Sequence, residues 1–523
     1  MRPEESRPPV IARSMDTSFK PAFLLMSGRV LGFAASFCIP IVFVRIFTQS
    51  EFGTYKQLFL VYATLYSIAQ VGMAESLFYF LPLAPEKGGR YSVNSLLALA
   101  VAGLACLAVL GTGGSQISHW LNNSALSGHT ALIGIYLLLM LISSVLEIAM
   151  ISRKQYRWAA LSYALSDLVR AALYILPVVF LRKLEWLLLG AVLFAALRLG
   201  ASLAYIGREF GRELRPDPVL LRKQLAYAVP FEMAVVAETL QSNFHQYAVS
   251  YAFDAATFAI YSVGCLQIPL VEFLASSAAN VMMVRMAEEV REGRSSGVLA
   301  LWHDTTRKLA VVFFPLVGLL LLNAREIIAI LFTEAYRASI PIFAISSTGV
   351  LLATFMTDAV LRVYAQTHVL FMINVVRLVL VAALINWFLS AFGLWGAVLV
   401  TLLATAVGKG WALARMKSLM HTRLSRILPW RSLAAILTVA AASGLPPLIV
   451  KWTLGMPTLA LASTTSLLYT ASYLALLRQF GLISQGERLA LARWLRGWTA
   501  GVARGGAVPQ DPQGTPPARV RAR

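Results

Sequence analysis

Five basic residues lie inside otherwise apolar stretches of this sequence, where a charge is costly and usually marks a functional site. They are Arg29, Arg170, Arg198, Arg377 and Lys409. An arginine guanidinium is planar and can donate to two oxygens of one anionic group, whereas a lysine ammonium is a compact point charge. These residue types inside apolar stretches predict a site that binds an anion.

The same basic residues also have structural interpretations. Arg170 follows Asp167 by three residues, so the two side chains can pair on one helical face. Lys409 can extend to the membrane surface. Arg29 and Arg198 have no acid nearby in the sequence, so a ligand contact and an ion pair with another helix both stay open for them.

Acidic residues in the apolar stretches predict a second kind of chemistry. A buried carboxylate favours its protonated form, so it could take up a proton on one side of a membrane and release it on the other. Our candidates for coupling to a proton or sodium gradient are Asp167, Glu232, Glu238 and Glu272. Glu238 and Glu272 are preferred because they lie near the middle of their predicted spans. The alternative is an ion pair with the basic residues, and for Glu147 and Asp358 a structural role is our interpretation.

The segment 238–245 carries amide and hydroxyl groups within an apolar stretch. Gln241 and Asn243, with Ser242 between them, could hydrogen-bond a sugar. The same groups could instead join neighbouring helices. We favour the interpretation that they line a binding cavity.

The elements that must position these residues are membrane-spanning helices. The sequence is 58% hydrophobic and 13% charged, against about 25% charged residues in soluble domains. A helix of about 20 apolar residues crosses a bilayer, and backbone groups in lipid must bond within their own helix. We predict an all-α polytopic protein with fourteen spans, the ninth of them short, at 21–46, 55–83, 93–112, 130–151, 158–181, 186–207, 224–251, 256–284, 308–323, 338–361, 369–391, 393–415, 432–453 and 456–478.

The net charge of +20 could indicate nucleic-acid binding, so the positions of the basic residues decide its meaning. Most of them fall in alternate connections between spans, which is typical of cytoplasmic loops. The longest connection on the opposite side, 111–128, contains no Lys or Arg, and Lys56 is assigned to an outside turn. We therefore predict that both termini are cytoplasmic and that nucleic acid is not a partner.

Short matches between the two halves of the sequence indicate an internal duplication. Residues 190–193 (GAVL) return at 396–399, and 167–170 (DLVR) resemble 374–377 (NVVR), at offsets of 206 and 207. Glu147 with Gln155 resembles Asp358 with Gln366 at an offset of 211. Six spans per half is an even number, so the halves should share one orientation and be related by an axis along the membrane normal.

The predicted organisation follows from these spans. An N-lobe at 21–207 and a C-lobe at 224–415 are joined by a cytoplasmic linker at 208–223, and a cytoplasmic tail at 1–20 precedes them. Two extra spans lie at 432–478. Trp494 and Trp498 share a helical face flanked by arginines, which predicts an amphipathic surface helix at 485–504; a solvated basic tail is the alternative. Residues 505–523 are expected to be disordered.

Several segments resemble those of the bacterial polysaccharide-lipid flippases. They are Gly28-Arg29 with the turn RIFTQSEFGTY, GMAESLFYFLP from 72, LRKQLAYAVPFE from 221, ATFAIYSVGCLQIP from 256 and FGLWGAVLVTLLAT from 392. These segments are turns and packing glycines. They resemble the superfamily of multidrug, oligosaccharide-lipid and polysaccharide exporters more closely than they indicate one substrate.

The resemblance implies two six-helix lobes around a central cavity. It also implies an undecaprenyl-pyrophosphate-linked oligosaccharide as the substrate, moved from the cytoplasmic to the outer leaflet of a bacterial inner membrane. The five basic residues would then bind the pyrophosphate, with Arg170 and Arg377 as a matched pair from the two halves. Two extra C-terminal helices are also found in relatives that handle lipid-linked peptidoglycan precursor.

The sequence is also compatible with other functions. A polytopic polysaccharide polymerase or ligase is one alternative, although the predicted outside connections are short. A drug or ion antiporter of the same superfamily is another. The sequence shows no phosphate-binding glycine loop or metal-ligand spacing, so we expect no cofactor and no catalytic residues; a polymerase and a chain-length regulator of one pathway are possible partners.

Overall fold

The computed structural model describes residues 37–482, except for the side chains of Arg212 and Phe231. All regular elements in this range are helical. The helices are α1 (37–43), α2 (Gln49–Ala69), α3 (Ser76–Leu83), α4 (Gly88–Thr112), α5 (Gly114–Trp120), α6 (Thr130–Ser143), α7 (Val145–Ser152), α8 (Tyr156–Leu181), α9 (Leu184–Phe210), α10 (Pro218–Ala252), α11 (Ala255–Gly264), α12 (Pro269–Arg291), α13 (Ser295–Leu322), α14 (Ala324–Phe332), α15 (Ile340–Ala353), α16 (Thr357–Val363), α17 (Thr367–Phe392), α18 (Leu394–Leu419), α19 (Trp430–Ala442), α20 (Leu445–Thr453) and α21 (Thr458–Gln479). Short 3₁₀ turns lie at Pro85–Lys87, Ser124–Leu126, Gly211–Glu213, Glu334–Ser339 and Leu424–Arg426.

Eleven helical segments in this range are long and apolar enough to cross a membrane. They match eleven of the predicted spans and confirm an all-α polytopic membrane protein. Of the other three predicted spans, the first lies mostly outside the described residues, the second is broken into α2 and α3, and the seventh is α10, which carries several charges. The predicted surface helix at 485–504 and the tail after it also lie outside the described residues.

The second span begins earlier than its hydropathy predicts. Thr48 caps α2: its side chain accepts a hydrogen bond from the Glu51 backbone N–H, and the Glu51 carboxylate accepts one from the Thr48 backbone N–H. This reciprocal arrangement is a capping box, which fixes a helix start. The helix then breaks between Ala69 and Ser76, where Val71 and Gly72 have φ values of 48° and 65°.

Two other predicted spans differ from the structure. The eighth is not continuous, because residues 265–268 separate α11 from α12 and Pro269 can occupy only the first turn of the second helix. The ninth is not short: α13 runs for 28 residues, and its polar first turns hid it from a hydropathy-based prediction. The short helix α14 after it was not predicted.

The internal duplication is visible in the positions at which helices begin and end. α8 and α17 differ by 211 at both ends (367 − 156 and 392 − 181), and each follows a residue with positive φ, Lys154 or Ala365. The offset of 211 aligns Arg377 with Ser166 (377 − 211). The predicted match of Arg377 with Arg170 is therefore wrong by four residues, about one helical turn.

Residues from the first half (37–210) and the second half (218–419) pack against each other along α2. At Gly53 a side chain would overlap the carbonyl of Ala255, so glycine is required where α2 approaches α11. At the other end of this span, the Tyr79 ring of α3 stacks on the Tyr227 ring of α10, with centroids 4.7 Å apart. Helix α19 packs against α13, and α21 packs against α13, α14 and α20. Lys451 of α20 also donates to Glu326 of α14 at 2.7 Å.

Candidate functional site

Four hydrogen bonds at successive turns join α2 of the first half to α10 of the second. They connect Gln57 to Ser250 (2.7 Å), Tyr247 to the Leu60 carbonyl (3.3 Å), Asn243 to Thr64 (3.0 Å) and Ser67 to Thr239 (2.8 Å). Steps of three or four residues keep the bonding groups on one face of each helix. We call this set of bonds the α2–α10 seam; it engages Asn243, one of the two predicted sugar ligands.

A cavity of about 340 Å³ lies between the two halves near the seam. Its first-half walls are α1 and Lys56 of α2, and its second-half walls include Gln246 of α10 and the residues between α11 and α12. Gln267 in that non-helical segment and Ser262 before it add an amide and a hydroxyl group. The cavity therefore combines one cationic side chain with neutral hydrogen-bonding groups.

Lys56 is the only basic residue that lines this cavity among the described residues. Its ammonium lies 5.6 Å from the centroid of the Phe52 ring and 5.7 Å from that of Tyr55, within cation–π range. Within 37–482 it makes no hydrogen bond and no ion pair. A desolvated ammonium without an anion is costly, so an anionic group that enters the cavity would be stabilised there.

Lys56 was missed as a candidate because the predicted span began at residue 55. In the structure it is the eighth residue of α2, about 10 Å along the helix axis. The signal that could have found it is the motif Thr48-x-x-Glu51, since a capping box moves the helix start back to residue 49.

Arg198 forms a buried ion pair that the sequence left open. Its two terminal nitrogens donate to the two oxygens of Glu147, at 2.9 and 2.5 Å, and one of them also donates to Ser166 at 2.9 Å. The Glu147 side chain is only 2% exposed. Arg198 thus has its charge balanced within the first half, while its Nε is buried without a partner among the described residues.

The second half contains the equivalent pair. Lys409 donates to Asp358 at 3.1 Å, and these residues follow Arg198 and Glu147 by 211 positions (409 − 198 and 358 − 147). Arg377 lies close by and donates to Thr405 at 3.0 Å. The negative charges of Asp358 and Glu238 attract its guanidinium group. The repeat therefore places one acid–base pair between corresponding helices of each half.

The remaining predicted cations have different surroundings. Arg170 pairs with Asp167 at 2.5 Å, as the i,i+3 spacing allowed, and both side chains stay about a quarter exposed. Arg29 lies outside the described residues.

Glu232 is the predicted acid with the most unusual surroundings. It is 6% exposed and has no hydrogen bond or ion pair within the described chain. The like charge of Glu75 repels its carboxylate. Glu75 in turn accepts from the Gln70 amide at 2.7 and 3.1 Å when that amide is oriented to satisfy its neighbours. The two carboxylates come from different halves of the chain, and neither forms an ion pair within the described residues.

The other predicted acids and Gln241 are distributed along the second half. Glu238 and Glu272 are exposed, and Glu272 lies in the first turn of α12 rather than in the middle of a continuous span. A carboxylate is favoured there by the helix dipole. Gln241 is buried, and its side-chain nitrogen has no partner in the described part of the chain.

Residues 37–482 contain no candidate metal site. No group of three or more His, Cys, Asp or Glu side chains there could hold a metal ion, and Cys38, Cys106 and Cys265 are free thiols.

Comparisons with known proteins agree with this architecture. Residues 18–282, slightly more than half of the chain, match the family model described as polysaccharide biosynthesis protein. No curated protein sequence gives a match.

Several solved structures share the fold. The lipid II flippase MurJ in an inward closed conformation superposes with a TM-score of 0.69 at 12% identity, covering 88% of this chain and 98% of MurJ. An inward-facing multidrug resistance MATE family transporter gives 0.58 at 14% identity, covering 77% of this chain and 99% of its own. A MOP superfamily transporter from Pyrococcus furiosus gives 0.52 at 14% identity over 77% and 95%. The chain belongs to the polysaccharide biosynthesis protein family, and its fold is similar to that of the MurJ flippase and the MATE transporters.

Proposed function

We propose that this protein flips an undecaprenyl-pyrophosphate-linked oligosaccharide across the bacterial inner membrane for surface polysaccharide synthesis. The observation that carries the proposal is Lys56, a cation without an anionic partner among the described residues, in a cavity between the two halves. Membership of the polysaccharide biosynthesis family and the flippase-like fold support it.

The chemistry of the cavity suits the substrate's head group. The Lys56 ammonium would balance part of the pyrophosphate charge, and the amides of Gln246 and Gln267 would hydrogen-bond its oxygens or the first sugar. The polyprenyl tail would stay in the surrounding lipid. Transport by alternating access then requires the α2–α10 seam to open on one side of the cavity.

Coupling to an ion gradient is proposed at Glu232. Because the charge of Glu75 acts on this buried carboxylate, binding of a proton or a sodium ion would remove the repulsion between them. Glu232 lies on α10 and Glu75 just before α3, so the ion would bind where the two halves meet. Neutralising this pair would change how closely the halves approach there.

The test compares strains that carry chromosomal variants. We expect deletion of the gene to make the complete lipid-linked repeat unit accumulate on the cytoplasmic face. Lys56→Ala should reproduce most of that defect, whereas Lys56→Arg, which keeps the positive charge, should still transport the substrate. Lys308→Ala removes an exposed lysine paired with Asp304 and should have no effect. Repeat units that reach the outer face unpolymerised would contradict the proposal and favour a polymerase or ligase.

A drug or ion antiporter is a second candidate, favoured by an aromatic cluster in the first half. The rings of Phe59, Tyr62 and Tyr136 lie within 4.6–6.1 Å of one another, centroid to centroid. Tyr136 is 2% exposed, so this cluster would have to open before its rings could bind a flat cationic drug. Drug resistance conferred on a sensitive strain, with normal surface polysaccharide after deletion of the gene, would favour this candidate.

A further inference from the structure

An open groove of about 870 Å³ lies at one end of the helical bundle, on the side that the charge distribution predicts to be outside. Its floor and one wall are α5 and the connection from α5 to α6, and the opposite wall is the end of α10 with Tyr251. The groove therefore has one wall from each half. Its volume falls in the range that holds a drug-sized ligand.

The lining of this groove is polar but not charged. Eight of its nine lining residues carry a hydroxyl, amide, imidazole or phenol group, and none is Lys, Arg, Asp or Glu. This lining contrasts with the Lys56 cavity, where an ammonium is available. A pyrophosphate or another strongly anionic group would find no counter-charge here.

Three groups in the groove are available to a ligand. The side chains of His119, Asn122 and Tyr251 make no hydrogen bond or ion pair with any described residue. Asn122 has a φ of 47°, a conformation that Asn tolerates better than most residues. Tyr251 is 69% exposed, and its ring offers a flat apolar face beside these polar groups.

The floor of the groove is held in place by hydrogen bonds. Ser118 donates to the Asn123 carbonyl at 2.6 Å. The Asn123 amide donates to Thr54 at 2.8 Å and to Gln57 at 2.6 Å. The polar groups at the surface therefore rest on a fixed base, which reduces the ordering cost of binding a ligand.

We propose that this groove binds a neutral glycan, with a sugar ring stacked on Tyr251 and its hydroxyls bonded to Asn122 and His119. Sugar hydroxyls both donate and accept, as amides and the imidazole do, and the C–H face of a pyranose suits an aromatic ring. The inference rests on the proposed function for its orientation and its substrate class. It adds an outside subsite for the sugars that is separate from the cavity for the pyrophosphate.

The groove is connected to the α2–α10 seam. Asn123 bonds Gln57, and Gln57 makes the first bond of the seam to Ser250. A glycan that spans both walls would contact the first half and Tyr251 of the second half together. Its binding therefore favours the arrangement in which the seam is closed.

The experiment uses the purified full-length protein in lipid nanodiscs, without any translocation step. Saturation-transfer NMR and calorimetry measure binding of four neutral trisaccharides, built from glucose, galactose, mannose or N-acetylglucosamine, and of a trisaccharide of glucuronic acid. We expect at least one neutral trisaccharide to bind. Tyr251→Ala and Asn122→Ala should each weaken it at least tenfold, and Tyr251→Phe, which keeps the ring, should weaken it less.

Trp120→Ala is the matched control, because Trp120 is an exposed aromatic residue at the end of α5 that does not line the groove. This variant should bind normally. Absence of neutral glycan binding, equal binding of the glucuronic acid trisaccharide, or unchanged affinity in Tyr251→Ala would each overturn the inference. Lys56→Ala should keep glycan binding, so failure of the proposed flipping and failure of the glycan site give different results.

Discussion

The buried pair of Glu147 and Arg198 allows a quantitative prediction. Their side chains are 2% and 12% exposed and share two hydrogen bonds. Removing one member leaves the other as an uncompensated buried charge, which costs about 3–5 kcal/mol. We therefore expect Arg198→Met or Glu147→Met alone to destabilise the protein by this amount.

The double variant tests whether the two charges contribute to stability as a pair or independently. With both charges replaced by methionine the packing volume is roughly kept and no isolated charge remains. Replacement of a buried ion pair by apolar residues is often close to neutral. We expect Glu147→Met with Arg198→Met to be more stable than either single variant, by about 2 kcal/mol or more.

The assay is denaturant unfolding of purified protein in detergent micelles, with the free energy of unfolding compared in a double-mutant cycle. Lys308→Ala is the control, because Lys308 and Asp304 form an exposed i,i+4 pair that should contribute less than about 1 kcal/mol. Additive effects of the two methionine substitutions would refute the reasoning. Loss of glycan export in a stable double variant would show instead that the charged pair is needed for transport.

Three further predictions concern other parts of the chain. Glu232→Gln should abolish the dependence of transport on the ion gradient, measured in proteoliposomes, whereas Glu289→Gln, which removes an ion pair with Arg294 at the end of α12, should not; equal gradient dependence in both variants would exclude Glu232 as the coupling residue. Gly53→Ala should destabilise the contact of α2 with α11 by about 1–3 kcal/mol, whereas Gly111→Ala, which has open space around it, should not; equal unfolding midpoints would contradict the close approach. Backbone N–H groups, first that of Leu220, hold the pKa of the Asp217 carboxyl below its usual value. Its contribution to stability is therefore complete above the unfolded-state pKa and is lost as the pH falls through the folded-state pKa; Asp217→Asn should remove this part of the acid sensitivity in unfolding curves, and an unchanged pH profile would contradict it.

Much of the fold could be predicted from the sequence because lipid imposes a simple pattern. Long apolar stretches mark spans, and eleven of them appear as helices of sufficient length. The duplication could also be detected, but its register could not be fixed by short apolar matches. The bounds of α8 and α17 give an offset of 211 residues. The match of Glu147 and Gln155 with Asp358 and Gln366 had indicated the same offset.

The site was harder to predict because its contacts join distant parts of the chain. The i,i+3 pair of Asp167 and Arg170 could be anticipated from spacing alone. Glu147 and Arg198 are 51 residues apart, and nothing local in the sequence connects them. Lys56 was misplaced for a different reason, since hydropathy locates the apolar middle of a helix and overlooks a polar first turn with a capping box.

The break between α2 and α3 has a mechanical consequence. Residues 70–75 divide one membrane crossing into two rods, and Gly72 at the join lies against the Ala228 backbone of α10. Because the helical hydrogen-bond pattern is interrupted at these residues, we expect α2 and α3 to change their relative tilt by rotation about a few backbone bonds. In that case the Tyr79–Tyr227 stack would hold α3 against α10 while the hydrogen bonds of the α2–α10 seam separate one turn at a time.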